Sequence, residues 1–264
     1  MNICLFTHEE IKNSLPKNDE RAKHIIKVLH KSKGDFFDAG IIGGAAGIAR
    51  ITEISEKGEI FFDFEAKSSG KRLYPLTLII GFPRPIQLRR LLRDVAGLGV
   101  QKIILCGTDL TEKSYLDSNV VSDGSAYQML LDGTAQAAST HVPQLEVARL
   151  LDEVLETTDS TELRKSSRDS TDFHRFQMEE WEQSSKIALD NKRASGSLHE
   201  FLTHETSRSV IAAIGAERGW TDRERDLFEK TGFSLCSMGA RILRTETAAT
   251  VASSIILDAM GFLG

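Results

Sequence analysis

A strand–helix–strand pattern in the middle of the chain constrains the fold most strongly. LTLIIGF at 76–82 is a continuous apolar run, typical of a strand that is buried on both faces of a parallel sheet. PIQLRRLLRDVAGLG at 85–99 repeats apolar residues at helical spacing, and VQKIILCG at 100–107 is a second buried run. This order predicts a βαβ unit in an α/β domain with a parallel sheet. SKIALD, SVIAAIG and GFSLCSMG predict further buried strands.

The first 73 residues have a different pattern. Short strands are predicted at ICLF, FFDA, AGIARITEIS and EIFFDFEAK, with one short helix between Glu20 and Lys31. In that helix Ile25, Ile26, Val28 and Leu29 share one face. The sequence therefore predicts a small β-barrel-like domain at 1–73, followed by the α/β domain at 74–264. Within the latter, 157–183 is rich in Ser, Thr and charge, and is predicted to be a surface insertion.

Composition excludes several classes of protein. Of the 264 residues 41% are hydrophobic, and no window approaches the ~18 uninterrupted apolar residues that a membrane helix needs. The N-terminus reaches acidic residues at once and lacks the layout of a secretion signal, so a cytoplasmic protein is expected. The seven histidines and three cysteines show no ligand spacing, and no metal site is predicted. A net charge of −5 argues against a surface that is basic throughout, although it leaves room for local basic patches.

Two glycine-containing segments follow predicted strands and are candidates for a ligand site. IGAERGW at 214–220 precedes a helix, with Thr221 as its predicted N-cap and Glu224 three residues on. SMGARILRTETA at 237–248 leads into the last helix. Ligands of parallel sheets bind beyond the carboxyl ends of the strands, so the two loops could form the walls of one pocket. The alternative is that the glycines serve only tight turns.

The second segment carries an unusual density of polar side chains at Arg241, Arg244, Thr245, Glu246 and Thr247. One interpretation is a solvated helix start, with Thr245 as the cap and Glu246 favourable to the helix dipole. The other is the edge of a pocket, because Ile242 and Leu243 alternate with the arginines and suggest one packed and one charged face.

Two basic clusters can be interpreted as solvated faces or as phosphate contacts. One follows the LTLIIGF strand, and the other lies in the predicted N-terminal helix. The first cluster comprises Arg84, Arg89, Arg90 and Arg93. The second comprises Lys17, Arg21, Lys23, His24, Lys27, His30, Lys31 and Lys33.

These segments resemble a known family, the bacterial ribosomal RNA small subunit methyltransferase E. HIIKVLH with KGD at 33–35 is similar to the family's HxxxVLR…GD pattern, and GLGVQKIIL to its ELGV strand entry. AQAAST followed by VPQL, and ASGSL at 194–198, resemble two further family segments. The most specific match is the pair IGAERGWTDRE and MGARILRTETA, which resembles IGPEGGFSxxE and LGxRILRTETA.

The resemblance implies a PUA-like β-barrel joined to a SPOUT domain with a C-terminal trefoil knot, working as a homodimer. It also implies methyl transfer from S-adenosylmethionine to N3 of a uridine in 16S ribosomal RNA. Uracil N3 carries a proton, so cations at Arg241 or Arg244 would stabilise the uridine anion. Glu246 would either accept the proton or lock the two arginines, and the second role is the one we favour.

The sequence departs from the family pattern at several positions. Ala216 stands for the proline and Arg218 for a glycine of IGPEGG, Gly97 stands for the glutamate of ELGV, and Thr140 and His30 stand for arginines. Most of these changes fall where the family would touch RNA. The alternative function is therefore a non-catalytic or retargeted RNA-binding protein of the same fold.

The patterns and the resemblance together define three sets of site residues. Cofactor binding is expected from Leu189, Ile214, Gly215, Ala216, Glu217, Gly219, Met238, Gly239, Ile242, Leu243 and Arg244. Catalysis is expected from Arg241, Arg244 and Glu246. Contact with ribosomal RNA is expected from Arg21, Lys23, His24, Lys27, His30, Lys31, Arg84 and Arg89.

Overall fold

The computed structural model describes residues 1–116, 118–156, 181–204 and 207–264. These residues form two compact units. The first comprises Met1–Leu73 together with Gln128–Val142, and the second comprises Tyr74–Tyr127 together with Pro143–Gly264. The first unit thus includes a segment, 128–142, that lies far from it in sequence.

The first unit is built on a four-stranded sheet in the order β1–β2–β3–β4. Its strands are β1 (Cys4–Phe6), β2 (Phe36–Ile41), β3 (Ala46–Ile54) and β4 (Ile60–Ser68). β1 pairs with β2 in parallel, and the other pairs are antiparallel. All four strands confirm the sequence prediction. Alternate residues of these strands, among them Phe37 and Ile51, face a core that also contains Phe6 and Ile25.

The predicted helix of the first unit is shorter than expected. α1 covers only Glu20–Lys23 and continues into one wider turn of π-helix at His24–Val28. His30 then adopts a left-handed backbone with φ of 52°, which ends the helical path. The prediction of a shared apolar face was wrong in part, because Ile25 is buried whereas Val28 and Leu29 are exposed. The wider turn rotates the last two side chains away from the core.

The second unit contains a seven-stranded parallel sheet in the order β7–β6–β5–β10–β8–β11–β9. Its strands are β5 (Tyr74–Gly81), β6 (Val100–Cys106), β7 (Gln144–Ala148), β8 (Ser185–Leu189), β9 (Gly196–Ser197), β10 (Val210–Ile214) and β11 (Ser234–Ser237). Its helices are α2 (Pro85–Gly97), α3 (Lys113–Leu116), α4 (Asn119–Ser122), α6 (Leu151–Glu156), α7 (Leu198–His204), α8 (Asp222–Lys230) and α9 (Thr245–Ala259). Helix α5 (Ser125–Gln136) ends within the segment assigned to the first unit.

The predicted βαβ unit is confirmed. β5 is buried along Leu78, Ile79 and Ile80, and it pairs with β6 in parallel. α2 begins at Pro85, where the fixed φ of proline suits the first helical position. It buries one stripe that includes Leu88 and Leu92, as the helical spacing predicted.

The predicted insertion at 157–183 lies mostly outside the described residues. Its last three residues are described, and there the expectation of a surface position was wrong for Trp181. This side chain is buried in the core of the second unit beside Leu155. In the described part of the chain no helix is long and apolar enough to cross a membrane.

Candidate functional site

The two glycine-containing loops lie at one edge of the parallel sheet. β10 and β11 both pair with β8, so their carboxyl ends flank the end of that strand. The 214–220 loop therefore lies on one side of Leu189, and the 237–245 loop lies on the other. This arrangement is the one that the sequence predicted for a ligand site beyond the strand ends.

The 214–220 loop is a tight turn with a fixed backbone. Gly219 has a φ of 69°, and its N–H donates to the carbonyl oxygen of Ala216 at 2.9 Å. Gly215 packs against this turn so closely that an added Cβ would lie 3.0 Å from the Cα of Gly219. The indole N–H of the buried Trp220 donates to the carbonyl oxygen of Leu189 at 2.9 Å. The loop is thereby tied to the end of β8.

The 237–245 loop is anchored at its ends and open in its middle. Gly239 has a φ of 90°, and nothing lies within 4 Å of where its Cβ would stand. Ile242 is 85% exposed, so the expectation that it packs on one face of the loop was wrong. Ile242 lies in the middle of the loop, and in the described part of the chain no apolar side chains cover it.

Thr245 fixes the end of this loop in a way that the sequence did not predict. The interpretation of Thr245 as the helix cap was wrong, because Arg244 is the N-cap of α9 and Thr245 is its first residue. The buried Thr245 hydroxyl instead donates to the carbonyl oxygen of Gly215 at 3.1 Å. This hydrogen bond joins the two loops directly.

Two of the three candidate catalytic residues lie at the start of α9, and the third, Arg241, lies in the loop before it. Arg241 and Arg244 are exposed, and Glu246 is buried in the first turn. Among the residues that the structure describes, Glu246 forms no ion pair with either arginine, so the arrangement gives no support to the interpretation that it locks them. The first turn of the helix holds the carboxylate where the helix dipole favours a negative charge.

A buried ion pair supports the third loop of this edge, which follows β8. Asp190 and Arg225 are each only 3% exposed, and Asp190 Oδ1 accepts from Arg225 Nε at 3.0 Å. Asp190 Oδ2 accepts the backbone N–H groups of Lys192 and Arg193. Burial raises the pKa of Asp190, but the hydrogen bonds from Arg225 and the two backbone groups outweigh burial and hold that pKa below its ordinary value. The sequence offered no signal for this pair, since the two residues are 35 positions apart.

The start of α8 confirms the predicted capping box. Thr221 Oγ1 accepts from the backbone N–H of Glu224, whose carboxylate accepts in return from the N–H of Thr221. Glu224 is fully buried and also accepts the backbone N–H of Asp109 at 2.9 Å. Arg223 bridges Asp109 and Asp152, and its hydrogen bonds hold the pKa of both carboxyl groups below the ordinary value.

Arg84 lies at the same edge of the sheet, between β5 and α2. Its backbone N–H donates to Glu217 Oε1 at 3.0 Å, and its side-chain Nε donates to the hydroxyl of Tyr115 at 3.0 Å. The guanidinium remains exposed. Arg89, five residues further on in α2, is also exposed. Sequence reasoning placed Arg84 in a basic cluster but missed its connection to Glu217.

The basic cluster of the first unit divides into inward and outward members. All five N–H donors of Arg21 are used by Asp19, Glu10 and the carbonyl oxygen of Leu5. Its guanidinium also lies 4.7 Å from the ring centre of Phe6, so Arg21 stabilises the fold of this unit. The remaining members lie nearer to solvent. Lys23 forms an ion pair with Glu20, and the His24 ring contacts the Met1 carbonyl oxygen. Lys31 is half-buried, and Lys27 and His30 are exposed.

The structure shows the surroundings of two residues that depart from the family pattern, Thr140 and Arg218. Thr140 is buried, and its hydroxyl donates to the carbonyl oxygen of Gly44 at 2.7 Å within the first unit, so it offers no surface cation. Arg218, by contrast, adds an exposed cation to the 214–220 loop.

The cysteines are buried, as the sequence predicted, and burial disfavours the thiolate form that a nucleophile needs. Burial raises the pKa of Cys4 to about 12 and that of Cys236 to about 11, and it also raises the pKa of Cys106. Within the described ranges, no three His, Cys, Asp or Glu side chains group closely enough to hold a metal ion.

Comparison with known proteins defines the class. Residues 70–257 match the family model of the RNA methyltransferase domain, and the chain belongs to that family. Within it, the chain belongs to the ribosomal RNA small subunit methyltransferase E family. It is 40% identical over 261 residues to the member from Treponema pallidum, covering 97% of this chain and 91% of that protein. It is 31% identical over 256 residues to ribosomal RNA small subunit methyltransferase E 1 of Borreliella burgdorferi, covering 97% of each chain.

The fold agrees with a solved member of the same family. The enzyme from Neisseria gonorrhoeae, whose crystal structure contains S-adenosyl methionine, superposes with a TM-score of 0.72. That match covers 98% of this chain and 97% of the other at 19% identity.

Proposed function

We propose that this protein transfers a methyl group from S-adenosylmethionine to N3 of a uridine in small-subunit ribosomal RNA. Membership of the family supports methyl transfer to ribosomal RNA, since the curated relatives carry the name of that activity over nearly the whole chain. The observation that carries the site assignment is the hydrogen bond between Thr245 and Gly215, which brings the two family-like loops together beside Leu189.

The loops at the end of β8, β10 and β11 suit a nucleoside cofactor. Gly239 presents bare backbone with open space around it, which lets a ligand approach the main chain closely. The partly exposed Leu189, Met238 and Leu243 supply apolar surface for an adenine ring. We assign the cofactor to these residues together with Ile214, Gly215, Ala216, Glu217, Gly219, Ile242 and Arg244. When bound, S-adenosylmethionine supplies a methyl group that its sulfonium already activates.

The chain must then make uracil N3 a nucleophile. The reaction forms the N3–methyl bond, breaks the sulfur–methyl bond and releases the N3 proton. Arg241, in the loop before α9, and Arg244, at its N-cap, carry positive charges that would stabilise the negative charge that develops on the uracil oxygens. Glu246 lies in the same helical turn and is the carboxylate that we assign to accept the proton.

RNA contact is assigned to both units separately. In the first unit Lys23, His24, Lys27, His30 and Lys31 would position the phosphate backbone, while Arg21 holds their segment in place. In the second unit Arg84 and Arg89 are exposed cations. Paired uridine hides N3, so the target is an unpaired or flipped nucleotide.

The finer features of the family complete the proposal. We assign the first unit to the PUA-like barrel class, and the C-terminal part of the second unit to a SPOUT trefoil knot. We also propose a cytoplasmic homodimer, supported by apolar side chains such as Ile86 and Val251 that the described residues leave exposed on α2 and α9. Sedimentation at micromolar concentration should give the mass of a dimer, and a monomer would contradict this part.

The enzyme activity is tested by incubating the purified protein with S-adenosylmethionine and small ribosomal subunits that lack the modification. The ribosomal RNA is then digested to nucleosides and analysed by mass spectrometry. Appearance of 3-methyluridine is expected. Binding of subunits without any methylated nucleoside would instead support the alternative of a non-catalytic RNA-binding protein, which the altered Ala216, Arg218 and Gly97 motivate. A methylated nucleoside other than 3-methyluridine would show a retargeted enzyme.

A further inference from the structure

The end of β5 and the 214–220 loop are in direct backbone contact. A methyl group on Gly81, the last residue of β5, would lie 2.5 Å from the backbone nitrogen of Ala216. It would also lie 3.2 Å from the carbonyl carbon of Gly215. Only glycine permits this approach. A displacement of the loop backbone therefore reaches the end of β5 with no intervening side chain.

Glu217 extends this contact to the start of α2. Its Oε1 accepts the backbone N–H of Arg84 at 3.0 Å, across 133 residues of sequence. Arg84 is the N-cap of α2, so the carboxylate also lies at the positive end of that helix, where a negative charge is favourable. Glu217 thus fixes the position of Arg84 from within the proposed cofactor loop.

The side chain of Arg84 is available to a ligand. Nε donates to the Tyr115 hydroxyl at 3.0 Å, which orients the guanidinium and uses one of its five N–H donors. Its other donors have no hydrogen bond or ion pair with any residue in the described ranges. The exposed guanidinium matches the geometry of a phosphate, to which it can donate two parallel hydrogen bonds.

We propose that Glu217 couples cofactor binding to RNA binding. Cofactor contact with the 214–220 loop holds Glu217, and Glu217 holds Arg84 in position to contact a phosphate of the RNA. This inference rests on the proposed function. Fixing the position of Arg84 in advance lowers the entropy that RNA binding must otherwise remove. RNA therefore binds more tightly to the cofactor-loaded protein, and by reciprocity the cofactor binds more tightly to the RNA-loaded protein.

The test measures the affinity of the full-length protein for unmethylated small ribosomal subunits, with and without saturating S-adenosylhomocysteine, which prevents turnover. The wild type should bind at least about fivefold more tightly with S-adenosylhomocysteine, a typical allosteric coupling. In Glu217→Ala the ratio should fall to within about twofold of one. Glu217→Gln keeps an oxygen that accepts the Arg84 N–H, and should retain most of the ratio. Glu182→Ala, which alters an exposed glutamate elsewhere in the second unit, should leave the ratio unchanged.

A further variant tests the same coupling in case Glu217→Ala does not fold. Arg84→Ala removes an exposed side chain and keeps the backbone bond, so it should fold, and its ratio should also fall to about one. If the wild type binds both ligands but the ratio is one, the coupling is overturned and the proposed function stands. A fivefold ratio kept in Glu217→Ala or in Arg84→Ala would likewise overturn the coupling only. Failure of the wild type to bind S-adenosylhomocysteine at all would overturn the proposed function, and this inference with it.

Discussion

The hydroxyl of Thr245 and the carbonyl oxygen of Gly215 form a hydrogen bond of 3.1 Å between the first residue of α9 and the loop after β10. Thr245 is buried, so water does not compete strongly for this bond. The bond places the exposed 237–245 loop beside the fixed 214–220 turn. The proposed cofactor site depends on this relationship, because it holds the two loops side by side.

Thr245→Val should weaken cofactor binding, although the two side chains have nearly the same shape. The variant removes the donor and leaves the Gly215 carbonyl oxygen without its partner, at a net cost of about 1 kcal/mol. S-adenosylmethionine affinity, measured by isothermal titration, should fall about fivefold. Thr247→Val, at an exposed position of the same helical turn, is the matched control and should bind as the wild type does. Equal affinities in the two variants would show that the bond does not shape the site.

Gly215→Val should displace the 214–220 turn. Its Cβ would lie 3.0 Å from the Cα of Gly219, which is tighter than nearly all Cβ contacts in proteins, so the backbone of the turn must shift to admit the larger side chain. Cofactor affinity should fall at least about tenfold, or ~1.4 kcal/mol. Gly44→Ala adds a methyl group with ordinary contacts of 3.6 Å or more in the first unit and serves as the control. A folded Gly215→Val protein with unchanged affinity would remove this loop from the site.

Stability should depend on pH through Asp190. Because the folded pKa of Asp190 lies below its unfolded value of about 3.9, the carboxylate stabilises the fold above that value. The stabilisation is lost as the pH falls from about 4 through the lowered folded pKa. Asp190→Asn should cost about 3 kcal/mol of unfolding free energy at pH 7, because it leaves the buried charge of Arg225 without its buried partner.

The control for Asp190 uses the other partner of the same arginine. Asp222 also binds Arg225, but its side chain is exposed, so Asp222→Asn should cost less than about 1 kcal/mol. Urea denaturation at pH 7 and at pH 3 measures both variants. The difference between wild type and Asp190→Asn should shrink at the lower pH. A constant difference would mean that the ion pair does not govern the acid sensitivity.

Neutralising Lys23, Lys27 and Lys31 to glutamine should weaken RNA binding without affecting the cofactor. Each lost phosphate contact lowers the slope of log affinity against log salt by roughly 0.7–0.9. Isothermal titration with S-adenosylmethionine should be unchanged. The same change at Lys12, Lys57 and Lys67, which are exposed lysines of the same unit outside the basic cluster, should have a smaller effect. Loss of cofactor binding in the first variant would contradict the division of roles between the units.

Arg244→Ala should impair methyl transfer rather than RNA binding. Its charge is assigned to the developing uracil anion, so turnover should fall far more than RNA affinity. Single-turnover methylation and a binding titration on the same preparation separate the two effects. Unchanged turnover would exclude Arg244 from catalysis.

The sequence predicted those features that depend on local periodicity. The buried strands, the amphipathic α2 and the capping box of Thr221 and Glu224 each follow from residues a few positions apart. The position of the two loops at one sheet edge followed from the rule for parallel strands. The family resemblance, which rests on RILRTETA above all, supplied the function that periodicity could not.

The features that the sequence missed depend on distant partners. Thr245 has the residue type of a helix cap, and only the fold shows that the carbonyl oxygen of Gly215, 30 residues away, is its acceptor. Glu217 and Arg84, or Asp190 and Arg225, are likewise paired by topology. Trp181 was assigned to a surface insertion because its neighbours in sequence are polar, whereas burial depends on neighbours in space.

The identity of the modified base is tested most directly by mass spectrometry of small-subunit ribosomal RNA nucleosides from cells with and without the gene. Deletion should abolish 3-methyluridine at one position, and restoring the wild-type gene should return it, whereas the Arg244→Ala gene should not. Full retention of 3-methyluridine in the deleted strain would contradict the proposed uridine N3 methyl transfer.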